Sequence, residues 1–263
     1  MTDIPADDRM APYAAEFIGT ALLVFFAAGS VMAATMVGGL PVPLIGGAAS
    51  GIALMILIWC FLDISGGHFN PALTVALAVF GDFPRSRVAG YLVAQLAGSA
   101  AGAALLYCTL GLQAAMGANL PNKALAISSL GAFVIESFLS FAMMLTIRAA
   151  FAADEPLRRF AAVPIGLIVG IEVMVMGPIA GAAMNPARAF GPYVFLGEWR
   201  YYWIYAVGPV LGILLGGLAW DRLIAARRGK APAQVPVEPD EVRQSHPPAA
   251  AAARIVPTVS GEG

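Results

Sequence analysis

The sequence predicts an all-α polytopic membrane protein with six transmembrane helices, two re-entrant half-helices and an inverted three-helix repeat. Three observations lead to this prediction. The 263-residue chain is 59% hydrophobic and 12% charged, about half the charged fraction of a soluble domain. It contains six apolar stretches long enough to cross a bilayer and two that are too short. The tripeptide Asn-Pro-Ala also occurs twice, at 70–72 and 185–187.

The six long stretches are predicted membrane spans, because roughly 20 apolar residues cross the hydrocarbon core as a helix. They lie at about 13–36, 43–63, 87–110, 129–150, 160–178 and 201–223. The two short stretches, 70–81 and 185–196, would each reach roughly 18 Å at 1.5 Å per residue. That is little more than half of the hydrocarbon core, so we expect half-helices that enter the membrane and stop inside it.

Each half-helix is predicted to begin at an asparagine. Asparagine is a favoured N-cap, and proline suits the first helical position. The stretches SGGHFNPALT (65–74) and GAAMNPARAF (181–190) both have this order. The predicted motif residues are Asn70, Pro71, Ala72, Asn185, Pro186 and Ala187.

The chain also repeats itself. Glu16 precedes Asn70 by 54 residues, and Glu136 precedes Asn185 by 49. Glycine pairs recur at matching places in the two halves: Gly47/Gly51 with Gly166/Gly170, and Gly98/Gly102 with Gly212/Gly216. Three spans in each half is an odd number, so the halves would have opposite orientations in the membrane. The N-termini of the two half-helices would then meet near the midplane.

The segments before the half-helices are predicted to be extended and to line a path. Irregular backbone within a membrane is tolerated only where it is buried or lines a water-filled cavity. The predicted pore-lining backbone residues are Gly66, Gly67, His68, Phe69, Gly181, Ala183 and Met184. We expect Glu16 and Glu136 to support these segments by accepting their hydrogen bonds.

The predicted cargo is a neutral solute that forms hydrogen bonds. Each asparagine oxygen can cap its own helix and leave the amide N–H donors free for a permeating oxygen atom. The two helix N-termini add partial positive charge, which disfavours protons and other cations.

The distribution of basic residues predicts that both termini are cytoplasmic, in the inner cell membrane. Lys123 and Arg200 lie on the opposite side, whereas the basic residues assigned to the cytoplasmic side are Arg9, Arg85, Arg87, Arg148, Arg158, Arg159, Arg222, Arg227, Arg228 and Lys230. The predicted domains are an N-terminal tail (1–12), a channel domain (13–226, with repeats at about 13–111 and 129–226) and a disordered cytoplasmic tail (227–263).

Several other functions are not expected. There is no basic surface for nucleic acid, and no nucleophile has a base near it in sequence, so we predict neither nucleic-acid binding nor an enzyme. His68 has no partner at metal-ligand spacing, and we predict no metal and no cofactor. Cys60 and Cys108 lie in separate apolar runs, which argues against a disulfide framework.

Over roughly residues 12–225, the chain resembles the aquaporin, or major intrinsic protein, family. The resemblance rests on SGGHFNPALT, AQLAGSAAG, GAAMNPARAFGP and the glutamates of the first helix in each half. It implies an hourglass of six tilted helices and two half-helices, assembled as a homotetramer with one pore per subunit. It also implies a second constriction on the external side, formed by four positions that include the arginine after the second Asn-Pro-Ala.

That arginine is Arg188, and spacing from the two asparagines gives the other filter positions as Ser50, Val173 and Ala182. Water-selective members typically place an aromatic residue and a histidine in this set. Glycerol channels carry a bulky aromatic pair and an acidic residue after the arginine, where this chain has Ala189. The pattern is most similar to nodulin-type and related bacterial channels, which pass uncharged metalloid hydroxides and small polyols.

We therefore expect a passive channel for water and small uncharged solutes in a lipid bilayer. Two other functions stay open at this stage. A secondary transporter can also use inverted repeats and broken helices, and it would give saturable, ion-coupled flux. A strictly water-selective channel would exclude the larger solutes. Glu172, beside Val173, has no counterpart in the family pattern, and we expect it to face another helix.

Overall fold

The computed structural model describes residues 10–225, and within them six helices are long and apolar enough to cross a membrane. The predicted fold class is confirmed. The helices are α1 Ala11–Val37, α2 Val42–Ser65, α3 Pro71–Phe80, α4 Arg85–Leu110, α5 Ser129–Phe151, α6 Ala162–Ala180, α7 Pro186–Leu196 and α8 Tyr202–Ala219. A π-helical turn, Trp220–Ala225, continues α8. The predicted tail at 227–263 and most of the one at 1–12 lie outside the described residues.

The two half-helices are α3 and α7, with 10 and 11 residues. Each begins at a proline and ends at a glycine in the left-handed conformation, Gly81 and Gly197. A left-handed glycine terminates a helix without steric strain. Both short helices therefore have local start and stop signals of their own.

Helix packing repeats between the two halves. In the first, Gly98 on α4 lies so close to the carbonyl of Phe17 on α1 that a Cβ atom would collide with it. In the second, Gly212 on α8 meets the carbonyl of Ser137 on α5 in the same way. Phe17 directly follows Glu16, and Ser137 directly follows Glu136. The glycines thus bring equivalent backbones together, as the inverted repeat predicts.

Helices α2 and α6 cross where the two halves meet. A Cβ atom on Gly51 would lie 2.5 Å from the Gly166 carbonyl oxygen, and a Cβ on Gly166 would lie 2.5 Å from the Gly51 oxygen. This reciprocal contact brings the two backbones into direct contact. Because α2 and α6 carry Ser50 and Val173, the crossing fixes the separation of two predicted filter residues.

The surface of the helices is apolar and the interior contains polar groups. Large apolar side chains such as Trp59, Val93 and Phe138 are more than two-thirds exposed. Glu16 and Glu136, by contrast, are fully buried between helices. This distribution is that of a multi-pass membrane protein, in which ionisable side chains face the bundle interior.

A buried ion pair lies at the far end of α3 from Asn70. Arg148 on α5 is 1% exposed, and its Nη1 atom lies 2.6 Å from Asp82 Oδ2, just beyond α3. Its Nη2 atom lies 3.9 Å from Asp221 Oδ2 in the turn after α8, and its guanidinium lies 5.0 Å from the centre of the Phe80 ring. Burial raises the pKa of Asp82, and the neighbouring guanidinium opposes that shift.

Candidate functional site

The two asparagines cap their half-helices with the same geometry. Asn70 Oδ1 accepts hydrogen bonds from the backbone N–H groups two and three residues later, at 2.9 and 3.4 Å. Asn185 Oδ1 does the same at 2.9 and 3.2 Å. Their backbone angles also agree, with φ and ψ of −149° and 112° for Asn70 and −153° and 111° for Asn185. The two residues are equivalent under the repeat.

Each asparagine also binds the segment that precedes the other. Asn70 Nδ2 donates to the Met184 carbonyl at 2.9 Å, and Asn185 Nδ2 donates to the Phe69 carbonyl at 2.8 Å. Phe69 and Met184 have φ of 47° and 49°, a left-handed conformation uncommon for residues other than glycine. One N–H of each carboxamide is thus engaged, whereas the sequence predicts that the amide donors are free for a solute.

The segment before α3 is held by Glu16. Its Oε1 atom accepts from the His68 backbone N–H at 2.9 Å, and its Oε2 atom accepts from the Phe69 backbone N–H at 2.6 Å. Two side chains, Ser65 Oγ and Gln95 Nε2, each donate to the same carboxylate at 2.7 Å. Four donors around one buried acid leave little freedom in this non-helical stretch.

Glu136 holds the segment before α7. It accepts from the backbone N–H groups of Ala183 and Met184, each at 2.9 Å. Tyr205 donates its hydroxyl to the Ala180 carbonyl at 2.7 Å, where α6 ends. Backbone groups that no helix satisfies inside the membrane are therefore satisfied by side chains.

One cavity contains all four predicted filter residues and both asparagines. Ser50, Val173, Ala182 and Arg188 contribute to its wall, together with Asn70 and Asn185. Ser50 donates its hydroxyl to the Gly46 carbonyl of its own helix at 2.7 Å, which leaves the oxygen lone pairs as acceptors. Much of the remaining wall is apolar: Leu54, Ile58, Leu73, Ile147, Ile165 and Val169.

The predicted pore-lining backbone needs a correction at two residues. Gly66, Gly67, His68, Ala183 and Met184 line the cavity, but Phe69 and Gly181 do not. The Phe69 carbonyl accepts from Asn185, and the Gly181 carbonyl accepts from Asn119 Nδ2 at 2.7 Å. In the structure each of these two carbonyls therefore accepts a hydrogen bond from an asparagine side chain.

The Pro and Ala residues of the motifs form the first turn of each half-helix and do not line the cavity. Ala72 and Ala187 are completely buried. The Ala187 carbonyl accepts a short hydrogen bond from Ser99 Oγ on α4, and the Pro186 carbonyl accepts from the Tyr202 hydroxyl at 3.3 Å. These residues pack the half-helices against the surrounding bundle.

Arg188 is held by the connection between α4 and α5, a segment to which the sequence pattern assigns no function. Its Nη1 atom donates to the Gly117 carbonyl at 2.9 Å and to Asn119 Oδ1 at 2.8 Å. Both lie between α4 and α5, where Asn119 is 2% exposed, and Tyr193 donates its hydroxyl to the Asn119 carbonyl at 2.8 Å. Asn119 thus connects two residues of α7, Arg188 and Tyr193, with the Gly181 carbonyl just after α6. No spacing rule points to it, because the contact depends on how the connection folds back over the pore.

Among residues 10–225, no group of three or more His, Cys, Asp or Glu is arranged to hold a metal ion. Cys60 and Cys108 are both exposed thiols. The His68 ring packs beside Phe83 and Tyr91, with its Nδ1 atom 3.0 Å from Thr74 Oγ1. The polar side chains that line the cavity are those of Ser50, His68, Asn70, Asn185 and Arg188.

Comparisons with known proteins agree with this geometry. A family model described as Major intrinsic protein matches residues 7–220. The putative aquaporin NIP4-1 of Arabidopsis thaliana is 36% identical over 213 residues, covering 79% of this chain and 72% of that protein. Aquaporin AqpM of Methanothermobacter marburgensis is 37% identical over 236 residues, covering 80% and 95%.

Two further similarities extend the range of relatives. The probable aquaporin TIP2-2 of Oryza sativa subsp. japonica is 39% identical over 219 residues, covering 79% of this chain and 85% of that protein. Among solved structures, the aquaglyceroporin from Plasmodium falciparum superposes with a TM-score of 0.73 at 22% identity, covering 83% of this chain and 98% of that one. The structural match supports the arrangement of the helices.

Proposed function

The chain belongs to the major intrinsic protein family and is a passive membrane channel for water and small solutes, and we propose that it admits uncharged solutes larger than water. Small polyols, urea and metalloid hydroxides are the proposed classes. The observation that carries this proposal is the composition of the filter, in which Ser50, Val173 and Ala182 are small and share one cavity wall with Arg188.

The proposed filter selects by hydrogen bonding as well as by width. Arg188 supplies donors that a hydroxyl or carbonyl oxygen can accept, and Ser50 supplies an acceptor. Val173 and Ala182 supply an apolar wall that suits the carbon side of a polyol. A filter with an aromatic residue at one of these positions would be narrower. Water and small uncharged solutes can therefore share this path.

Ions are proposed to be excluded near the two asparagines and at Arg188. The half-helices direct their N-termini, with partial positive charge, toward the shared asparagine site. Beyond it the wall is apolar, with residues such as Leu54 and Ile165, so a cation would lose hydration without gaining ligands. A neutral solute does not meet this barrier.

Orientation and assembly also belong to the proposal. We propose an inner cell membrane protein with both termini cytoplasmic, because basic residues concentrate at one side of the predicted spans. A channel domain at 13–226 would assemble as a homotetramer with one pore per subunit, as the family resemblance implies. The exposed apolar helix faces would then contact lipid and neighbouring subunits.

Swelling of proteoliposomes in gradients of glycerol and urea, compared with shrinkage driven by water alone, tests the proposed selectivity. We expect glycerol, urea and water all to cross the membrane, with fluxes that rise linearly with the imposed gradient. Ser50→Trp should reduce glycerol flux at least tenfold and water flux much less, because it narrows the filter. Ile52→Trp is the matched control, since Ile52 is 55% exposed on the same helix. Water flux alone would indicate a strictly water-selective channel, and saturable, ion-coupled flux would indicate a transporter; either result contradicts the proposal.

A further inference from the structure

Glu172 on α6 is a buried acid that the channel machinery described so far does not use. The residue is 5% exposed. Neither of its carboxyl oxygens has a hydrogen-bond partner within residues 10–225. It is absent from the cavity wall, although its neighbour Val173 is part of that wall.

Helix geometry places this carboxyl behind the filter, on the side of α5. Gly170 and Met174 face α2, because a Cβ atom on Gly47 would contact both of them. Glu172 is two residues from each, and at 3.6 residues per turn it points to the opposite side of α6. Helix α5 also packs against α6, less extensively than α2 does, and Glu136 on α5 is close enough to Glu172 for the two charges to interact.

The inverted repeat supplies an internal comparison. Because Gly51 corresponds to Gly170, position 53 in the first half corresponds to position 172 in the second. Position 53 is an alanine that is 8% exposed. Helix packing at this place therefore does not require a carboxyl group, and Glu172 is a departure from the repeat.

The chemistry around Glu172 differs from that around the two loop-supporting acids. Glu16 and Glu136 each accept backbone N–H groups, which stabilise a negative charge. Glu172 has no such donors. A buried carboxyl without a hydrogen-bond partner strongly disfavours its ionised form, so we expect this one to carry a proton at neutral pH.

The charged and titratable groups near Glu172 are few in the described part of the chain. Glu136 faces it from α5. Arg188 on α7 and the Tyr205 hydroxyl on α8 interact electrostatically with Glu136 in turn. With Glu172 protonated, the negative charge of Glu136 and the positive charge of Arg188 balance. Ionised Glu172 would add one uncompensated negative charge behind the filter.

We propose that Glu172 is a charge-selectivity residue, whose neutral form preserves cation exclusion and whose ionised form makes the pore permeable to small monovalent cations. The inference rests on the proposed passive pore. In the neutral state the positive potential at Arg188 and at the helix N-termini faces the lumen. In the ionised state a negative charge one residue from Val173 offsets that potential, because charges act strongly over short distances in a poorly screened interior.

The test is ion conductance of the full chain in planar bilayers, in KCl and in NaCl, at about pH 7 and about pH 10. We expect negligible current at the lower pH and at least a tenfold rise at the higher one. Glu172→Gln, which matches the neutral carboxyl in shape, should abolish the rise. Glu172→Ala, which copies Ala53, should do the same. Glu198→Gln is the control for an exposed acid and should keep the rise.

Several outcomes would overturn the inference. A wild-type channel without an alkaline current would do so, as would a Glu172→Gln channel with an unchanged one. A current that persists when K⁺ and Na⁺ are replaced by a large impermeant cation would indicate proton or hydroxide flux and would also contradict it. Glycerol and water swelling, measured on the same preparations at neutral pH, separates the two proposals. Swelling with glycerol but no current at alkaline pH would contradict only the role of Glu172. Absence of swelling would contradict the proposed function as well.

Discussion

Asn70 and Asn185 each donate an amide N–H to the residue that precedes the other, at 2.9 Å to the Met184 carbonyl and 2.8 Å to the Phe69 carbonyl. Two half-helices from opposite halves of the repeat are therefore anchored on one another. In each carboxamide the oxygen caps a helix and the nitrogen forms the anchor. Capping and anchoring can thus be separated by mutation.

Asn70→Asp should keep the helix cap and lose the anchor. Aspartate caps helices as well as asparagine does, but it would place an acceptor against the Met184 carbonyl and add negative charge at the shared site. We expect glycerol flux to fall at least tenfold, because two acceptors that face one another, at a cost of about 1–3 kcal/mol, would push the half-helices apart and distort the pore between them. Liposome swelling measures the flux, and a pH-sensitive dye in the same liposomes measures proton entry, which should rise.

Asn122→Asp is the matched control for this variant. Asn122 also caps a helix with its oxygen and donates its amide to another element, the Pro178 carbonyl, at 2.8 Å. Asn122 is partly buried and its hydrogen bonds are exposed, so the change should leave both fluxes close to wild type. If Asn70→Asp behaved like Asn122→Asp, the reciprocal anchor would have no functional role.

Asn119→Ala should release the guanidinium of Arg188. The substitution removes one of the two acceptors of Nη1 and the donor to the Gly181 carbonyl. A freed guanidinium can enter the lumen and narrow it, so we expect glycerol flux to fall about fivefold to tenfold, since hydrogen bonds to charged groups contribute about 1.5–3 kcal/mol to holding a side chain in place. Water flux should fall less, because a water molecule is smaller than glycerol and can pass through a narrower opening.

Asn119→Asp separates the two contacts of this residue. Aspartate retains the acceptor for Arg188 and loses the donor to Gly181, so glycerol flux should stay nearer to wild type than in Asn119→Ala. Asn122→Ala, in the same connection, serves as the control. An equal loss of glycerol flux in both Asn119 variants would show that the flux depends on the contact of Asn119 with Gly181 and not on its contact with Arg188.

The sequence predicted the features that follow local rules. Both half-helices begin at Asn-Pro because capping depends on neighbouring residues, and the repeat was visible because glycine spacing reflects helix packing. The role of Asn119 could not be predicted, because it depends on the path of the connection through left-handed residues such as Ala114 and Met116. The partners of the Phe69 and Gly181 carbonyls, Asn185 and Asn119, could not be predicted either, because the direction of a carbonyl depends on backbone angles that residue type does not determine.

Glu16→Gln should destabilise the protein more than Glu136→Gln. Glutamine presents an NH₂ group in place of one carboxylate oxygen, so donors that faced that oxygen lose their acceptor. Glu16 accepts from two backbone N–H groups and two side chains, whereas Glu136 accepts from the backbone of Ala183 and Met184. Hydrogen bonds to charged groups contribute about 1.5–3 kcal/mol each, so both variants should be impaired.

The midpoint of thermal unfolding in detergent measures this difference. Ser65→Ala provides a smaller, graded change, because it removes one of the four donors to Glu16 together with the acceptor of the Gly67 backbone N–H. We expect the order of stability to be wild type, Ser65→Ala, Glu136→Gln and then Glu16→Gln. A Glu16→Gln protein as stable as wild type would show that the segment before α3 does not depend on the carboxylate.

Removing Asp82 and removing Arg148 from their ion pair should destabilise the protein by different amounts. Arg148→Met leaves Asp82 without its close cation, but a carboxyl can take up a proton, and burial already raises the pKa of Asp82. Asp82→Ala leaves a buried guanidinium that cannot lose its proton and that has lost its nearest carboxylate, with Asp221 farther away at 3.9 Å. We therefore expect Asp82→Ala to be the more destabilising change, by about 2 kcal/mol or more.

The pH dependence distinguishes this explanation from simple loss of packing. Without Arg148 the pKa of Asp82 rises further, so the neutral form is favoured in the folded protein and stability is lost as pH rises. The stability that Arg148→Met loses relative to wild type should therefore become smaller as the pH falls from about 8 to about 5. The stability that Asp82→Ala loses should stay constant over the same range. The exposed pair Glu155 and Arg158, 3.1 Å apart, is the control, and Glu155→Ala should cost less than about 1 kcal/mol. A deficit of Arg148→Met that is independent of pH would mean that its side chain acts through contacts such as the one with Phe80.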